Sequence, residues 1–142
     1  MIYFDVHEEE LRRLLDYDRR RYWLVNGWSI RFRVSLTETS AGRPHGIRYA
    51  FTLHDLDGTR LLGIDNAHGI PRELAYDHRH RFRRTEEMVG YEFRGADQLI
   101  CDFFASIERA CNQEGVPFEF DAEEIELEEL EIEVDDDAQG PN

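Results

Sequence analysis

His45, His54, His68, His78 and His80 are five of the chain's six histidines, and all lie between positions 45 and 80. With an ordinary pKa of about 6.5, imidazole gives and takes protons near neutrality. Asp65, Asn66, Asp77, Arg79 and Arg81 share the stretch, and a guanidinium or a second imidazole can stabilise phosphorane-like charge. His78 and His80 stand two apart. On a strand rising about 3.3 Å per residue they point into one pocket, with Cα atoms roughly 6.5 to 7 Å apart. Proton transfer is the chemistry this spacing supports.

Other readings of the same residues stay open. Leu74, Tyr76 and Phe82 flank the two histidines on their side of the strand, so the imidazoles can simply rim a core. H-x-H with His68 or Asp65 supplies three metal ligands. The Cys or helical His spacing of common zinc motifs is missing, so neither a metal nor a cofactor is expected. Asp65-Asn66 also has the composition of a turn that bonds its own backbone.

These residues require an α+β scaffold, read as an antiparallel sheet of about five or six strands packed against two helices. Leu11, Leu14, Leu15 and Tyr17 set an amphipathic helix over residues 8 to 20. Residues 22 to 25 and 28 to 36 flank Asn26-Gly27, a hairpin signal of the type I′ kind. Ile47, Tyr49, Phe51 and Leu53 alternate along a further strand, Asp57-Gly58 supplies its turn, and residues 60 to 65 return. A strand over 74 to 82 puts His78 and His80 on one side and Asp77, Arg79 and Arg81 on the other. Residues 95 to 112 read as a helix ended by Gly115 and Pro117. Beyond it the parity changes near Glu128, which leaves a bulged edge strand or a short helix.

A chain of 142 residues fits one core. The expected domain covers residues 1 to 120, with 121 to 142 an acidic, partly disordered segment. That segment carries eleven of the 31 acids and no base; without it, 20 acids face 17 bases, all of them arginine. The net charge of −14 therefore does not exclude a nucleic-acid substrate. No apolar run approaches the ~20 residues of a membrane span, and Asp5 with His7 to Glu10 argues against a signal peptide, so a cytoplasmic protein is expected. Cys101 and Cys111 on one helix sit roughly 15 Å apart, too far for a disulfide, and read as two small buried thiols.

The remaining features weigh less. Trp23 and Trp28 read as packing residues. The arginine runs 19 to 21 and 79 to 84 either bind phosphate or pair with neighbouring acids. No P-loop, dinucleotide glycine fingerprint or G-x-S-x-G elbow is present.

The run Gly63-Ile64-Asp65-Asn66-Ala67-His68-Gly69, then Asp77-His78-Arg79-His80, then Tyr91-Glu92-Phe93 and a helix bearing Leu99, Asp102 and Phe103 resembles the TumE-type toxins of prokaryotic toxin-antitoxin pairs, over about residues 47 to 107. The resemblance implies a toxin encoded beside a helix-turn-helix antitoxin that neutralises it by direct contact. By analogy with other small toxins, the expected activity is metal-independent RNA cleavage. One histidine takes the 2′-hydroxyl proton and another protonates the leaving oxygen. His78 and His80 are the acid and base candidates and His68 a third; Asp65 and Asp77 orient imidazoles. Arg79 clamps phosphate, with Asn66, Arg81 and His45 as further substrate contacts. The expected partners are the antitoxin, RNA and a second copy of the chain, with no membrane. The alternatives are a metal-dependent nuclease or nucleotidyl transferase using Asp65, His68, His78 and His80, and a non-catalytic interaction protein whose acidic tail imitates nucleic acid.

Overall fold

A computed structural model describes residues 6–41, 43–66 and 77–125. Its elements run α1 (Val6–Leu15), β1 (Arg20–Leu24), β2 (Ser29–Leu36), β3 (Ile47–His54), β4 (Arg60–Asp65), β5 (His78–Arg81), β6 (Arg84–Gly90), α2 (Ala96–Glu114) and β7 (Phe120–Ile125). The strands form one sheet in the order β6-β5-β4-β3-β2-β1-β7, every neighbouring pair antiparallel. The architecture is α+β, with seven strands where five or six are expected from sequence.

One face of the sheet is apolar because alternate residues of β2, β3 and β4 are. Ile30, Phe32, Ile47, Tyr49, Phe51, Leu53 and Ile64 are all buried there. Phe103 of α2 packs edge-on against Phe32 and also meets Phe51, at centroid distances of 5.5 and 5.6 Å. Leu14, Leu99 and Ile107 complete the core. Helix α2 ends where Gly115 takes the left-handed conformation and returns its N–H to Asn112 and Cys111 carbonyls.

The structure corrects several local expectations. Helix α1 stops at Leu15 rather than residue 20, because Tyr17 and Asp18 close tight turns onto Leu14 and Leu15 and Arg19 reverses the chain at φ 70°. Both predicted hairpins have three-residue loops rather than two-residue type I′ turns. The Gly27 N–H reaches the Leu24 carbonyl while the Leu24 N–H reaches Trp28, and Asp55, Gly58 and Thr59 repeat the pattern. Only the glycine of each loop has positive φ, as a type I turn with a following bulge requires.

The strand expected over 74 to 82 begins at His78 among the described residues and ends at Arg81. Phe82 leaves the strand and packs against Trp28, with ring centroids 5.9 Å apart. The unexpected strand β6 follows at once. As a largely exposed edge, it has no apolar alternation to read. Beyond α2, Phe120–Ile125 form a strand that pairs with β1 through a register shift between Trp23 and Leu24, and the parity change near Glu128 lies outside the described residues. Trp28 joins the core as expected, whereas Trp23 is half-buried under Arg21. Cys111 is buried, but Cys101 is exposed on the outward side of α2, and both are free.

Candidate functional site

Strand register assembles the site. Asp65 at the end of β4 pairs with His78, and Gly63 pairs with His80. Ile64, between them, faces the core with Phe51, so Asp65, His78 and His80 project together from the opposite side of the sheet. Gly63 fits there because it lacks a Cβ, which would come within 3.1 Å of the Phe51 carbonyl and 3.2 Å of the Thr52 methyl.

One carboxylate serves two imidazoles. Asp65 Oδ1 lies 3.1 Å from His78 Nε2, and Oδ2 lies 3.0 Å from His80 Nε2. The two rings stand 5.0 Å apart, centroid to centroid. All three side chains are close to fully buried, His80 being the most accessible at 11%. The other nitrogen of His80 donates to the Thr85 carbonyl of β6 at 2.8 Å. Because a carbonyl only accepts, this bond fixes a proton on Nδ1 and leaves Nε2 to deal with the carboxylate.

Asp77 comes one residue before His78 and so faces the other way. It joins His45 and Tyr49 rather than the His78–His80 pair. The Tyr49 hydroxyl donates to Asp77 Oδ2 at 2.7 Å, and His45 Nε2 lies 3.3 Å from the same oxygen. Burial pushes the Tyr49 phenol far above its ordinary range, and the Asp77 charge pushes it further. His45 also packs on Phe93 at 4.1 Å, with a buried Nδ1 that has no hydrogen-bond partner among the described residues.

Asn66 is fully buried and its amide serves the fold. Its oxygen accepts from the Tyr49 N–H at 2.9 Å and its nitrogen donates to the Ile47 carbonyl at 2.9 Å, extending the pairing of β4 with β3. The Asn66 carbonyl accepts from Arg43. His54 stands apart, bonded to Thr52 and to Gly58 at the β3–β4 turn. His68 lies outside the described residues, as do Leu74 and Tyr76.

Arg79 and Arg81 are not brought to the two imidazoles on β5. They line a cleft of about 910 Å³ with Arg83, Arg84, Arg94 and Arg109, and the wall of that cleft includes His80. Arg79 lies over the Tyr91 ring, and Tyr91 donates to Asp102 of α2 at 2.7 Å. Burial and that hydrogen bond raise the Tyr91 phenol above its ordinary value. Arg83 pairs with Glu114, Arg84 with Glu87 and Arg94 with Glu92. Among the described residues, Arg79 and Arg109 have no carboxylate partner.

Sequence reasoning missed the Thr85 carbonyl, Tyr49, Tyr91 and Arg109. A backbone carbonyl has no residue signature. Tyr49 reads as one of the alternating apolar residues of its strand, Tyr91 enters only through the family resemblance, and Arg109 meets the cleft only once α2 is placed.

No helix among the described residues is long and apolar enough to cross a membrane. No curated protein and no solved structure matches the chain. The family model described as toxin TumE matches residues 5–110. The match begins well before residue 47, where the sequence resemblance starts, so α1 and the first hairpin belong to the family pattern as well. Matched over more than half of its length, the chain belongs to the TumE toxin family.

Proposed function

We propose that this toxin arrests growth by cleaving RNA. The arginine-lined cleft between β5–β6 and α2 holds the phosphate backbone, and Asp65, His78 and His80 handle proton or charge transfer at the scissile phosphate. The observation that carries this reading is their adjacency on β5, where His80, bonded to Asp65 at 3.0 Å, stands between Arg79 and Arg81, both of which line the cleft. Arg79 and Arg109, which have no carboxylate partner among the described residues, are the cations available to a phosphate. Membership of a toxin family implies an antitoxin partner. The antitoxin of this reading carries a helix-turn-helix domain and acts by direct contact.

The test is growth of a bacterial host after induced expression of the wild type beside the double variant His78→Ala, His80→Ala, with sequencing of new RNA ends. Arrest and discrete ends from the wild type alone support the reading. A fully active double variant removes these histidines from the chemistry. Arrest without new ends moves the target away from RNA.

A further inference from the structure

We infer that Asp65, His78 and His80 form a binding site for a divalent transition-metal ion of the zinc class. Their donor atoms lie within 4.8 Å of one another, and the two carboxylate-to-imidazole distances are 3.0 and 3.1 Å. Ligands about 2.1 Å from a tetrahedral ion stand roughly 3.4 Å apart, so small rotations of the rings bring the set to bonding geometry.

The hydrogen bonds of His80 point the same way. Its Nδ1 proton is held by the Thr85 carbonyl at 2.8 Å, which directs the lone pair of the neutral ring from Nε2 toward Asp65. A lone pair facing a carboxylate at 3.0 Å requires a positive charge between them. An extra proton on His80 is one solution; it serves a single ring and leaves the shared carboxylate to divide itself between two. A divalent ion takes an electron pair from both imidazoles and from Asp65 at once.

A ligating histidine whose second nitrogen donates to a backbone carbonyl is the usual outer-sphere arrangement of protein metal sites. Two imidazoles and one carboxylate select a first-row transition ion over Mg²⁺ or Ca²⁺. Such an ion polarises a phosphoryl oxygen or activates water, but the site is inferred from its own donors and stands whether or not RNA is the substrate.

The full chain, stripped by chelation and dialysis, is titrated with Zn²⁺ and separately with Co²⁺ as a spectroscopic probe. About one ion per chain is expected, with visible Co²⁺ bands, ring-proton signals of two imidazoles shifted by the bound Co²⁺, and a higher melting temperature in Zn²⁺. His78→Gln and His80→Gln should each abolish the Co²⁺ bands, while His54→Gln keeps them. A folded wild type that binds neither ion overturns the inference, as does a folded His78→Gln, His80→Gln variant that binds like the wild type. If the variants fail to fold, the wild-type spectra decide alone, because Co²⁺ bound without two shifted imidazoles also overturns it. Each of these outcomes is read without an activity assay.

Discussion

Two histidines on this sheet begin with the same hydrogen bond and end differently. At the β3–β4 turn, His54 shares its Nδ1 with the Gly58 carbonyl at 3.1 Å and meets the Thr52 hydroxyl with Nε2 at 2.8 Å. On β5, His80 shares its Nδ1 with the Thr85 carbonyl and meets the Asp65 carboxylate with Nε2. A hydroxyl turns and donates; a carboxylate only accepts. The neutral ring is therefore complete at His54 and incomplete at His80. Burial lowers the His54 pKa, opposed by its bond to Gly58, which fits a ring kept neutral for the fold. The identity of the second partner is what separates the two histidines, since histidine content and burial alone would not.

The largest effect expected from breaking this contrast is at His80. His80→Ala should lower RNA cleavage by about 10²- to 10⁴-fold, the range for losing a general acid or base, and abolish growth arrest. Thermal unfolding should stay cooperative because the core under Phe51 and Phe103 is untouched. Cleavage at the wild-type rate would place the chemistry elsewhere.

Next in size is a loss of stability at the other aspartate. Tyr49→Phe removes the donor to buried Asp77 and should cost about 1–3 kcal/mol in denaturant unfolding, the price of an unmade bond to a buried acceptor. Growth arrest should survive it. The raised phenol also sets a pH window. Folding holds Tyr49 protonated, so its contribution is intact below the unfolded value of about 10 and is lost as pH rises above it. Urea midpoints at pH 9 and 11 should therefore converge between wild type and Tyr49→Phe at the higher pH. Arrest lost in a stable Tyr49→Phe would instead join the Asp77 group to the active site.

Much of this arrangement was legible because strand alternation carries orientation. Ile47, Tyr49, Phe51 and Leu53 announce β3, and the same period places His78 and His80 opposite Asp77 and Arg79. The period alone did not say which aspartate would meet which histidine. That depends on the register of β4 with β5, which nothing in residues 60 to 65 or 78 to 81 encodes locally. Strand β6 was invisible because an exposed edge has no apolar face, and with it went Thr85, the partner that fixes the His80 tautomer. Asn26-Gly27 suits either loop, because a three-residue loop needs one positive φ, which Gly27 supplies, and a two-residue type I′ turn needs two.

A smaller effect concerns the cleft that His80 touches. If Arg79 contacts single-stranded RNA, Arg79→Ala should reduce the slope of log affinity against log salt by about 0.7. Arg84→Ala should change it less, since Glu87 already lies 3.6 Å from Arg84. Equal slopes for Arg79→Ala and wild type would remove Arg79 from the phosphate path.

The smallest expected effect tests the opening contrast from its quiet side. Because the folded pKa of His54 is depressed, the contribution of its neutral ring is present above the unfolded value of about 6.5 and is lost as pH falls through the folded value. His54→Gln should therefore flatten the fall of stability between pH 7.5 and 5.5, read from urea midpoints, and leave growth arrest unchanged. The Thr52 hydroxyl can donate to the neutral ring or turn and accept from a protonated one, so it is burial that resists the proton at His54. At His80 the same nitrogen meets the Asp65 carboxylate, which only accepts. If His54→Gln left the pH dependence intact while abolishing arrest, the partner's identity would no longer separate the two histidines, and the Thr52 hydroxyl would have to be counted among the groups that meet substrate.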